Sequence, residues 1–64
     1  MGEYEKALQL YQKALEIYEK VLGPQHPDVA RTLSNLAELY ENMGEYEKAL
    51  PLHQRIEKNF NDSS

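Results

Sequence analysis

Apolar residues recur from Tyr4 to Leu22 in two interleaved rows. Tyr4, Leu8, Tyr11, Leu15, Tyr18 and Leu22 step by four and three, and Ala7, Leu10, Ala14, Ile17 and Val21 step by three and four. At about 3.6 residues per turn, each series runs down one side of a helix. Lys6, Gln9, Gln12, Lys13, Glu16, Glu19 and Lys20 fill the remaining arc. A helix wet on one side only needs a single apolar stripe, so two rows predict two helical neighbours. The alanines of the second row would let one neighbour approach closely.

A second stripe comprises Val29, Ala30, Leu33, Leu36, Ala37, Tyr40 and Met43, with Arg31, Ser34, Asn35, Glu38, Glu41 and Asn42 on the opposite face. A third begins with Tyr46, Ala49, Leu50, Leu52, His53 and Ile56. The breaks carry their own chemistry. Gly23 suits the left-handed position after a helix, Pro27 suits the first helical turn, and Asp28 places a negative charge at the helix start. Gly44, after Met43, marks the next break. The pattern predicts helices over 3–22, 27–42 and 45–60, joined by short connections as antiparallel neighbours, with 61–64 as a disordered tail. Pro51 lacks an N–H for the Glu47 carbonyl and is expected to bend or weaken the start of the last helix.

Residues 1–13 (MGEYEKALQLYQK) and 43–55 (MGEYEKALPLHQR) agree at ten of thirteen positions, at an offset of 42. That spacing holds a helix, a turn and a second helix, so the chain reads as about one and a half units of a helical repeat, starting in mid-unit.

Composition narrows the function. The chain has 64 residues and no cysteine, which removes disulfides and thiolate metal sites. His26 and His53 are too few and too far apart for a metal centre. His26 reads as a helix-start residue and His53 as a partly buried packing residue with one hydrogen bond. No cofactor is expected. Seven basic against eleven acidic residues give a net charge of −4, which disfavours nucleic acid. No apolar run exceeds two residues, which excludes a membrane span. The carboxylates lie on predicted wet faces with nothing to converge on, so no enzyme is expected. The lack of cysteine suits a cytoplasmic setting.

The run Asn35-Leu36-Ala37-Glu38-Leu39-Tyr40 followed by Gly44, Tyr46 and Ala49 resembles the tetratricopeptide repeat. Ala14-Leu15-Glu16-Ile17-Tyr18, Leu22-Gly23-Pro24 and His26-Pro27-Asp28-Val29-Ala30 resemble the 42-residue version found in kinesin light chains. His53 and Ile56 depart from that pattern. The resemblance implies an all-α helical-hairpin solenoid in which 2–22 is a second helix (B), 23–26 an inter-repeat loop, and 27–60 a complete A–B hairpin. It further implies a protein-interaction role, with extended peptides on the polar face of helix 27–42. Asn35 matches an amide that serves a peptide backbone or carboxylate, and Arg31 matches a frequently basic groove position. Ser34, Glu38 and Asn42 share that face.

Solenoids generally need about three repeats and polar caps, so self-association is also expected, as a homodimer or larger assembly. Tyr4, Leu8, Tyr11, Leu15, Leu50, Ile56 and Phe60 are the candidates, because they lack partners within one chain as read. Docking and hairpin exchange both remain open, with the Gly23–Pro27 loop or the Met43–Gly44 turn as hinge. An alternative is an excised or engineered structural repeat unit with no ligand of its own. A simple antiparallel coiled coil would explain the first helix but not the 42-residue recurrence.

Overall fold

A computed structural model describes residues 2–63, with side chains from 3 to 59. The chain is all-α, with α1 at Gly2–Val21, α2 at Pro27–Asn42 and α3 at Tyr46–Ser63. The helix starts and stops fall within a residue of those expected, except at the end of α3. There the helix continues to Ser63, into the stretch read as a disordered tail, while Ser64 lies outside the described residues. Asn61, Asp62 and Ser63 are mediocre helix formers, but no glycine or proline stops the backbone ladder. The helix is likewise continuous through Pro51.

The termini of α2 are built by the punctuation residues. His26 is the N-cap, with its Nδ1 accepting from the Asp28 amide at 3.1 Å, and Pro27 opens the helix. At the other end Gly44 adopts φ 80°, its amide donates to the Glu41 carbonyl at 3.0 Å, and the Glu45 amide donates to the Tyr40 carbonyl at 2.8 Å. This paired closure satisfies carbonyls that a helix end would leave open, and it needs a residue that tolerates positive φ. Gly23 also takes a positive φ after α1, at 97°, but Pro24 follows it and has no N–H for a second closing bond.

The core belongs to α2. Val29, Ala30, Thr32, Leu33, Leu36, Ala37 and Leu39 are buried, joined from α3 by Ala49 and Asn59. The two polar members are satisfied. Thr32 Oγ1 donates to the Asp28 carbonyl at 2.9 Å, and Asn59 Nδ2 donates to the Pro24 carbonyl at 3.1 Å, tying α3 to the α1–α2 loop. No described side chain of α1 is fully buried. The two helical neighbours expected for α1 reduce to one. It packs on α2 alone, since α3 also packs on α2 and its backbone makes no close approach to α1.

Candidate functional site

Burial on α2 leaves one polar side. Arg31, Ser34, Asn35, Glu38 and Asn42 are all exposed there. Asn35, Glu38 and Asn42 come together with Leu39 along a shallow groove of about 280 Å³, whose opposite wall is Glu3, Tyr4, Ala7 and Tyr11 of α1. Arg31 and Ser34 are not part of that lining. The groove therefore offers two amides, two phenol rings and two carboxylates, and no cation. Its walls suit backbone amides and basic groups better than acidic ones.

The flanks of the outer helices are apolar. On α1, Leu8, Tyr11 and Leu15 are half-buried on the side that meets α2, and Tyr4 sits exposed at the edge of the groove. Leu10, Ile17 and Val21 stay uncovered, at 69%, 51% and 73% exposure. On α3 the covered side is Ala49, Leu52, Ile56 and Asn59, while Tyr46 and Leu50 stand out at 66% and 60%. Of the seven self-association candidates, Tyr4 and Leu50 are exposed, and Leu8, Tyr11, Leu15 and Ile56 are half-buried. The side chain of Phe60 lies outside the described residues. Leu10, Ile17, Val21 and Tyr46 were not among the candidates. For Tyr46 the signal that could have found it is the 42-residue register, which sets Glu57 opposite Leu15 and so marks the outer side of α3; no such signal separates Leu10, Ile17 and Val21 from the other apolar row of α1.

Polar ties cross between the helices. Gln12 Nε2 donates to the Tyr40 hydroxyl at 3.2 Å, and the Lys48 ammonium lies 5.9 Å from the Tyr40 ring centroid. Arg55 of α3 forms an ion pair with Glu19 of α1. His53 is exposed rather than partly buried. The buried stripe of α3 passes to one side of it, and its Nε2 meets Glu41 Oε2 at 3.0 Å.

Among the described residues, no group of three His, Cys, Asp or Glu side chains is placed to hold a metal ion, and no helix is long and apolar enough to cross a membrane. A family model for the tetratricopeptide repeat matches residues 1–62. No curated protein and no solved structure gives a match to the chain.

Proposed function

The chain belongs to the tetratricopeptide repeat family, and from that premise we propose a protein–protein interaction unit that docks helical partners, copies of itself included, on the uncovered flanks of α1 and α3. The observation that carries this reading is the pair Tyr46 and Leu50. Their equivalents at the 42-residue offset, Tyr4 and Leu8, lie on the side of α1 that meets α2, and Leu8 is half-buried there. The same row on α3 is bare. A surface that can pack on a helix in one copy can pack on a helix in the other. Large apolar side chains contribute roughly 1.5–3 kcal/mol each when fully buried, so two such rows suffice for weak association. The 42-residue recurrence supports the longer repeat type of kinesin light chains within the family. The family's repeats act in binding rather than catalysis, and exposed, unconverged carboxylates support a non-enzymatic role here.

Sedimentation over a dilution series tests the proposal. Wild type should associate at high micromolar concentration, and Leu50→Glu should remain a helical monomer. A wild type that stays monomeric over the whole range rejects self-docking.

The groove between α1 and α2 favours a second reading, an extended peptide held by Asn35 and Asn42. Calorimetric titration with extended peptides should then show a several-fold loss of affinity in Asn35→Ala. A chain that neither associates nor binds peptide would be a structural repeat unit without a ligand of its own.

A further inference from the structure

The outer flank of α1 carries charge as well as apolar surface. Lys6, Lys13 and Lys20 recur at intervals of seven, each one helical turn from Leu10 or Ile17. All three are exposed, and none reaches a carboxylate among the described residues. In a chain of net charge −4, this is a basic stripe beside an uncovered apolar row. A shallow hollow of about 380 Å³ opens there between Lys6, Gln9, Leu10 and Lys13.

The outer flank of α3 has the opposite character. Glu47 lies three residues before Leu50 and Glu57 seven after it, so both border the bare Tyr46–Leu50 surface. Both are exposed and unpaired among the described residues. Leu15 stands on α1 at the position equivalent to Glu57, so the row that is apolar against α2 carries a carboxylate where it is uncovered.

We infer that copies of this chain associate front to back, the Lys6/Lys13/Lys20 stripe with Leu10 and Ile17 of one copy receiving Glu47, Leu50 and Glu57 of another. The inference rests on the reading of both flanks as docking faces and adds which face meets which. A front-to-back contact leaves every packed surface of each copy intact, since neither flank is in use. It joins two different surfaces, so every copy carries one of each. Like faces are disfavoured, because lysines would meet lysines and glutamates would meet glutamates.

Charge exchange tests the pairing. Two variants of the 64-residue chain are made, Lys6→Glu/Lys13→Glu/Lys20→Glu and Glu47→Lys/Glu57→Lys, all at exposed positions, and helicity is checked by circular dichroism. Each alone should be monomeric at the concentration where half of the wild type is associated. Their equimolar mixture should associate again, within about threefold of wild type. Raising salt from about 50 to about 500 mM should weaken wild-type association about tenfold, since solvent-exposed pairs are screened at that strength. A control, Glu5→Lys, moves net charge in the same direction as the Glu47/Glu57 variant and half as far, at an exposed position outside the pairing, and should associate like wild type. If both charge variants associate unaided, or their mixture stays monomeric, the front-to-back pairing is overturned while the docking-face reading stands. If wild type itself never associates, self-docking falls and this inference falls with it.

Discussion

Residues 4–15 of α1 and 46–57 of α3 begin with the same sequence, yet α2 covers different sides of them. In α1 the covered row is Leu8, Tyr11 and Leu15, and the bare row contains Leu10 and Ile17. In α3 the covered row is Ala49, Leu52 and Ile56, and the bare surface contains Tyr46 and Leu50. Shifted by 42 residues, the covered sides share Ala7/Ala49 and Ala14/Ile56, but α1 adds Leu8, Tyr11 and Leu15 where α3 adds Leu52 and Asn59. The two helices are covered on overlapping faces turned toward opposite edges of that shared strip. A duplicated segment therefore has two adhesive sides, and its place relative to the central helix selects which is used. The unused side is the surface proposed above for docking.

The comparison depends on α2 as the common support, and removing that support gives the largest effect. Leu33 is 1% exposed at the centre of the core. Leu33→Ala should cost about 2–5 kcal/mol. A domain of this size has roughly 0.05–0.15 kcal/mol per residue of stability, so the variant should lose a large share of it and melt well below wild type by circular dichroism. A cooperative transition as late as wild type would show that α1 and α3 do not depend on α2.

The next effect separates the two copies directly. Ala49 is 2% exposed, whereas its equivalent Ala7 is half-buried at the groove edge. Ala49→Leu should overpack the α2–α3 contact and cost about 1–3 kcal/mol, and Ala7→Leu should cost less than about 1 kcal/mol. Urea unfolding of the two variants side by side is the check. Equal losses would mean that both alanines meet α2 in the same way.

Much of the architecture could be read in advance. Glycines at positive φ, Pro27 at the helix start and the apolar stripe of α2 each predict a local structure that follows from backbone sterics or burial. The placement of Asn35, Glu38 and Asn42 on one side of α2 also follows from helical periodicity. Their meeting with Tyr4 and Tyr11 in one groove does not, because it depends on how α1 sits. The same limit applies to the bare flanks. Both rows of α1 are apolar, so periodicity alone gives no reason to expose Leu10 and Ile17 rather than Leu8 and Leu15. Asn59 was equally hidden. A polar residue in a drifting stretch gives no sign that it is buried, since its burial is set by the carbonyl of Pro24, 35 residues away.

A smaller pair of effects probes the other face. Leu8 is half-buried and Leu50 is exposed, although the sequence around them is shared. Leu8→Ala should destabilise the monomer by about 1–2 kcal/mol through lost burial. Leu50→Ala should stay within about 0.5 kcal/mol, as surface substitutions do. Denaturation at concentrations well below association provides the measurement. A large loss at Leu50 in the monomer would show that the outer side of α3 is covered from within the chain.

The smallest effect asks whether the two copies are independent. α1 and α3 do not pack on one another, and a direct side-chain tie between them is the Arg55–Glu19 ion pair. Arg55 is exposed and Glu19 only half-buried, so the pair stays in contact with water and should couple by no more than about 0.5 kcal/mol in a cycle of Glu19→Gln, Arg55→Gln and the double variant. Position 55 is also one of the three at which the copies differ, since its equivalent is Lys13. Arg55→Lys would keep the charge but lose the planar fork that suits a carboxylate. A coupling above about 1 kcal/mol, reduced by Arg55→Lys, would link the fates of α1 and α3 through solvent rather than through α2. The copies would then choose their exposed sides together, and a partner docking on one flank would alter the other. A small coupling leaves each flank answerable to α2 alone, so that the two ends of the unit can be occupied separately.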